Sequence, residues 1–171
     1  LALAFPDAYE IGISHQGSQI LYHLANRWRD VLAERTYAPM PDMARAMVDA
    51  GVPLYTLECY RPVAAFDLVG ITLQTELNYS NIPYLLDLAG IPRRAVQRQG
   101  DDPIVLGGGP CTANPEPVAP FFDAFLIGDA EAGFDAVLDS LIGSEAEGLD
   151  RSETRPEHLE TLRHLLQRAG I

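Results

Sequence analysis

With 171 residues, 47% of them hydrophobic and 21% charged, the chain has the size and make-up of one globular domain with a core of its own. Twelve basic residues, every one an arginine, stand against twenty-four acidic ones, and the resulting formal charge of −12 excludes electrostatic capture of nucleic-acid phosphates or of an anionic membrane surface. The absence of lysine also excludes a P-loop lysine and a Schiff-base lysine.

Short apolar runs alternate with helical patterns along the chain. Leu1–Phe5 reads as the first strand, and the pattern next predicts a helix over Ser18–Arg27 with Ile20, Leu21 and Leu24 on one face. A second strand, Val31–Tyr37, precedes a helix over Pro41–Ala50, where Met43, Ala46, Met47 and Ala50 form a stripe and Gly51 is the stop. Leu68–Leu73 is the third strand. It leads to a helix over Ser80–Ala89 with Ile82, Leu85, Leu86 and Ala89 inward, Pro83 in its first turn and Gly90 at its end. Ile104–Leu106 is the fourth strand, after which Asn114-Pro115-Glu116 reads as an N-cap with proline at N1, opening a short helix toward Phe121. Ala124–Ile127 is the fifth strand, and Asp129 caps a helix running to about Ile142 with Phe134, Val137, Leu138 and Leu141 on one side.

The third, fourth and fifth runs are nearly continuous in apolar residues, as strands covered on both faces are. Five such strands in βαβα order predict a doubly wound, flavodoxin-like α/β sheet of five parallel strands, ordered 2-1-3-4-5. Function in such a sheet gathers at the carboxyl ends of strands one, three and four, where the order reverses. Beyond residue 142 the chain turns polar: Gly143–Glu153 reads as an acidic linker. Thr154-Arg155-Pro156-Glu157 then opens a helix with Leu159, Leu162, Leu165 and Leu166 on one side. This divides the chain into a domain over 1–142 and a linker with helix over 143–171. The chain starts at Leu1 without a methionine and reads as an excised piece.

Cys59 and Cys111 lie far apart and outside any Cys-x2-Cys pattern, so neither a zinc knuckle nor an iron–sulfur cluster can be built from this chain alone. Two free thiols suit a reducing cytoplasm. No apolar run approaches the roughly 20 residues needed to span a bilayer, and the first residues lack the basic start of a signal peptide.

Three loops could carry chemistry. In Phe5-Pro6-Asp7-Ala8-Tyr9-Glu10-Ile11-Gly12-Ile13-Ser14-His15-Gln16-Gly17, the Ser14–His15 pair suggests a nucleophile, but Gly12-x-Ser14-x-Gln16 lacks the second glycine of a nucleophile elbow. His15 has no ligand partner closer in sequence than His23, and Asp7 with Glu10 suits helix capping better than acid–base catalysis. After the fourth strand, Gly107-Gly108-Gly109 lets a flat ligand or a phosphate approach the main chain, or simply makes a tight turn. No Gly-x-Gly-x-x-Gly is present, so a dinucleotide fingerprint is unsupported.

These loops resemble those of cobalamin-binding domains of the methionine synthase and methylmalonyl-CoA mutase kind, which carry D-x-H-x-x-G after strand one, S-x-L after strand three and G-G after strand four. Here the corresponding residues are Asp7-Ala8-Tyr9-Glu10-Ile11-Gly12, Thr72-Leu73-Gln74 and Gly107-Gly108. The resemblance implies a corrinoid site at Asp7, Tyr9, Gly12, Thr72, Gln74, Gly107, Gly108 and Gly109, the corrinoid's dimethylbenzimidazole tail lying between the sheet and the first helix. Tyr9 takes the place of that family's cobalt-ligating histidine, and a phenol is a poor substitute for imidazole. Phe66 to Ile71, Pro103 to Pro110, Asn114 to Pro117 and Phe122 to Glu131 are similar in running order to the N-terminal domains of cobalamin-dependent radical-SAM enzymes. The opening from Phe5 to His15, the segment from Leu73 to Asn81 and Asp87-Leu88-Ala89-Gly90-Ile91-Pro92 further resemble a subfamily of large fused radical-SAM proteins of unassigned reaction.

By that resemblance the chain is an accessory domain holding cobalamin or a substrate over a downstream barrel, and S-adenosylmethionine and the [4Fe–4S] cluster belong to that barrel. Two other readings stand beside it. One is a degenerate domain that binds no cofactor and serves as an interdomain or partner-recognition scaffold, a reading supported by Tyr9. The other is a hydrolase using Ser14 and His15.

Overall fold

The computed structural model describes residues 1–145 of the chain. Among them five strands, β1 (Ala2–Phe5), β2 (Glu34–Tyr37), β3 (Leu68–Thr72), β4 (Ile104–Gly108) and β5 (Ala124–Leu126), pair in parallel in the order β2-β1-β3-β4-β5. The order expected from the sequence is the order found. Five helices connect or follow them: α1 (Tyr9–Gly12), α2 (Gln16–Ala25), α3 (Pro41–Ala50), α4 (Asn81–Ala89) and α5 (Ala130–Glu145). Register places Ala4 beside Ile71, Ile71 beside Gly107, and Thr72 beside Gly108, so the reversal between β1 and β3 lies next to the glycine-rich end of β4.

Strand side chains alternate between two apolar cores. Ala2, Ala4, Val69, Ile71 and Val105 join Met47, Ile82, Leu85, Leu86 and Ala89 on the face covered by α3 and α4. Leu1, Leu3, Leu68, Ile104 and Leu106 join Ala25, Phe134, Val137 and Leu138 on the face covered by α2 and α5. Both faces of the sheet are therefore covered by helices, and each large side chain removed from water contributes roughly 1.5–3 kcal/mol.

The helix over Asn81–Ala89 follows its sequence pattern: Ile82, Leu85, Leu86 and Ala89 are all buried, and Gly90 ends it in the left-handed conformation at φ 72°. Gly51 stops α3 in the same way. The buried faces of the first two long helices follow expectation in part: Leu21 and Leu24 on α2 pack against the core and Met47 on α3 is buried, whereas Ile20 and Met43 are exposed and Ser18, Ala25 and Ala44 are buried in addition.

Three further expectations are corrected. The second strand begins at Glu34 rather than Val31, because the Asn26 side chain takes both the N–H and the C=O of Ala33 into hydrogen bonds that a ladder would need. No helix opens at Asn114; two short 3₁₀ turns, Pro110–Ala113 and Ala119–Phe121, flank that point. Gly143 to Glu145, read as the start of a linker, continue α5. The remaining linker and the helix expected from Thr154 onward lie outside the described residues.

Two polar clusters fix the periphery. Arg98, its side chain fully buried, donates to Asp123 at 2.7 Å, to the carbonyl of Phe121 at 2.6 Å and to those of Pro92 and Arg93 at 3.1 Å. Asp123 in turn accepts from the Val105 N–H at 2.8 Å. At the opposite edge, Glu58 accepts from both the backbone N–H and the guanidinium of Arg35 at 2.7 Å, while the Leu57 N–H donates to the Arg35 carbonyl at 2.9 Å. Among the described residues no helix is long and apolar enough to cross a membrane.

Candidate functional site

A cavity of about 600 Å³ opens at the carboxyl end of the sheet, on the face covered by α2 and α5. Its floor is the sheet itself. Leu3, Gly70, Leu106 and Gly108 come from three adjacent strands, Ser18 and Leu21 from α2, Phe134 from α5, and Gly128 and Asp129 from the turn after β5. The slot exists because the side chains that would fill it are missing. A Cβ added at Gly108 would meet no atom within 4 Å, which means that the bare main chain of β4 faces open space there.

The three glycines expected to act together do three different things. Gly108 opens the slot. Gly107, one residue earlier and therefore on the other face, packs beneath aromatic rings: a Cβ there would stand 2.7 Å from Phe125 and 3.1 Å from Phe122. Gly109 has φ 112° and passes so close to β3 that a Cβ would lie 3.0 Å from the Leu73 carbonyl oxygen, so it makes the turn and also lines the slot.

Of the other expected positions, Thr72 and Gln74 line the slot. Asp7, Tyr9 and Gly12 do not. Asp7 accepts from the Ala8 N–H at 2.8 Å, a contact with its own neighbour, and the helix-capping role expected of it is not found: the N-cap of α1 is Ala8, without a side-chain cap. Tyr9 turns the other way, edge-on to Tyr37 at a centroid distance of 5.3 Å, and borders a separate depression of about 250 Å³ with Met40, Met43 and Leu57. Gly12 is a packing glycine; a Cβ would stand 2.6 Å from the Tyr37 ring and 2.8 Å from Phe5.

The residue that sequence reasoning set aside is at the centre of the slot's mouth. His15 is the N-cap of α2: its Nδ1 accepts from the Ser18 N–H at 3.1 Å, and the Ser18 hydroxyl lies 2.9 Å from the same nitrogen. Its Nε2 faces Gln74 Oε1 at 3.1 Å, across 59 residues of sequence. The Ser18 hydroxyl continues to Thr72 Oγ1 at 3.5 Å. The available signal was Gly17, two residues on, where a Cβ would come within 2.9 Å of the imidazole. Ser14 points elsewhere, donating to the Ile11 carbonyl at 3.3 Å, so the Ser14–His15 nucleophile pair does not form.

Electrostatically the slot is sparse. Among the described residues its ionisable side chains are His15 and Asp129, and no arginine lines it. Among the described residues no group of three or more His, Cys, Asp or Glu is placed to hold a metal ion. Cys59 is exposed, and the neighbouring Glu34 carboxylate raises its pKa above the ordinary value. Tyr79 is likewise held above its usual range by burial and by Cys111.

A doubly wound parallel sheet with an apolar slot at its switch point defines the chain as an α/β domain of the open-sheet class. Residues 17–165 match the family model of radical SAM proteins, N-terminal region, and the chain belongs to that family. It is 30% identical over 140 residues to an uncharacterized protein of Methanocaldococcus jannaschii; the match takes in 81% of this chain and 25% of that protein, so the chain spans about a quarter of that relative's length. No solved structure matches.

Proposed function

We propose that this chain is the corrinoid-holding accessory domain of a radical-SAM enzyme. Membership of the radical-SAM N-terminal family supports the association with a radical-SAM domain, and the observation that carries the ligand is the slot beside Gly108. Its apolar walls, and its flat floor of main chain and small side chains, suit a planar heterocycle such as the nucleotide base of cobalamin. Thr72, Gln74, Gly108 and Gly109 would hold that tail, with His15 and Ser18 at the rim. When bound, the corrinoid would supply methyl-transfer or one-electron cobalt chemistry.

The fit extends to the tail and stops at the metal. Tyr9, the residue in the place of the cobalt-ligating histidine, is packed on Tyr37 outside the slot, so a corrinoid held here would have no protein ligand from that position. S-adenosylmethionine and the [4Fe–4S] cluster would reside in a downstream barrel of the same protein. The same orientation of Tyr9 favours a second reading, in which the domain binds no cofactor and serves as an interdomain scaffold.

Incubation with hydroxocobalamin, desalting and a visible spectrum separate the two. Retention of about one corrinoid per chain is the expected result for a single such slot. A colourless protein after desalting rejects the corrinoid reading and leaves the scaffold.

A further inference from the structure

We propose that His15 is a fixed hydrogen-bond donor through Nε2 at the mouth of the slot and that it receives a neutral carboxamide oxygen of the ligand. The inference rests on the slot being a ligand site, as above, and adds which atom of the protein reads the ligand and what chemistry it reads.

The protonation pattern follows from the hydrogen bonds. A backbone N–H can only donate, so the Ser18 N–H at 3.1 Å requires a lone pair on His15 Nδ1. The ring proton is then on Nε2, which donates to Gln74 Oε1 at 3.1 Å. The other tautomer would set two N–H groups against each other at the first turn of α2. The helix cap itself therefore selects the tautomer with its proton on Nε2.

Position is fixed as firmly as tautomer. The imidazole lies against the Phe5 ring at a centroid distance of 5.0 Å, and its opposite flank is open only because residue 17 is glycine. The donor therefore points at the mouth without the reorganisation that a flexible side chain would need. Gln74, exposed and on a loop, is the stand-in acceptor that a ligand oxygen would displace.

The chemistry of the acceptor follows from the rest of the lining. Among the described residues no arginine lines the slot and Asp129 does, so an anionic oxygen would meet no guanidinium there and one like charge. A carboxamide oxygen accepts one hydrogen bond and brings no charge. The rim of a corrin ring carries such amides, which ties the proposal to the ligand proposed above. It also places Nε2 as a donor to the ligand's periphery, with no lone pair to offer a metal.

The test uses the 171-residue chain labelled with ¹⁵N. At about pH 8, where imidazole is neutral, long-range ¹H–¹⁵N spectra of His15 are expected to show a proton-bearing Nε2 and a bare Nδ1. Benzamide, a flat neutral amide, is expected to move the His15 Nε2 resonance in a saturable way, and benzoate, its anionic counterpart, to do so at least fivefold more weakly. His15→Asn retains a capping side chain and should weaken benzamide binding about fivefold, the worth of one neutral hydrogen bond. A proton on Nδ1, benzoate matching benzamide, no response to benzamide, or unchanged affinity in folded His15→Asn each overturns the proposal. Failure of the corrinoid reading is seen separately, as no retention of hydroxocobalamin by a protein in which His15 still answers to benzamide.

Discussion

Gly107 and Gly108 differ by one step along β4, and that step reverses what each residue is for. The Gly107 hydrogen faces the Phe122–Phe125 pair, whose centroids are 4.9 Å apart, whereas the Gly108 hydrogen faces the slot. Gly107→Ala drives a methyl group into a filled space and is expected to cost about 1–3 kcal/mol of stability. Gly108→Val meets no neighbour at Cβ, and a β-branched residue suits a strand, so it should change stability by less than about 0.5 kcal/mol while abolishing corrinoid retention. Urea unfolding of the two variants, paired with the desalting assay, checks both halves. Equal destabilisation of the two, or corrinoid retained by Gly108→Val, contradicts the assignment of faces. The glycine run was legible in the sequence as a place where main chain comes close to something. Strand alternation could also have separated Gly107 from Gly108. The mouth was less legible, because His15 works through a cap to Ser18 and a contact to Gln74, and only folding brings residues 15 and 74 together.

Among the elements, those with their own start and stop chemistry were read most faithfully. Asn81–Ala89 and Pro41–Ala50 each carry a proline in the first turn and a glycine at the end, and their bounds follow. The four-residue helix Tyr9–Gly12 is too short to display a period, and the start of β2 is decided by a side chain, Asn26, seven residues away. The connections after α4 and β4 depend on one buried cation in the same fashion. Arg98 ties the loop at Pro92–Arg93 to the one at Phe121–Asp123, so neither loop is held by its own sequence. Arg98→Met would leave Asp123 buried without its guanidinium and several carbonyls without a donor; a loss of about 3–5 kcal/mol is expected by thermal or urea unfolding. A loss below about 1 kcal/mol, the range of exposed pairs, would show that the loops are held by other means. Neither the pairing nor its burial is visible in a sequence where Arg98 sits among polar neighbours.

At the scale of the molecule, the parallel order was legible because strands covered on both faces leave continuous apolar runs, and because right-handed crossovers leave few alternatives. The position of the slot follows from that order, since the chain departs in opposite directions from β1 and β3 and leaves a crevice between their loops. The clamp of Glu58 and Leu57 on Arg35 has a consequence for how such a domain lives inside a long polypeptide. β2 is the outermost strand on its side, and its outward main-chain groups at Arg35 are already occupied by the chain's own segment. That self-sealed border denies a newly made neighbouring copy the template it would need to add a strand. Glu58→Ala should unseal it, and light scattering during refolding is expected to report aggregates absent from the parent chain; clear refolding of the variant at the same concentration would argue that the border is guarded elsewhere.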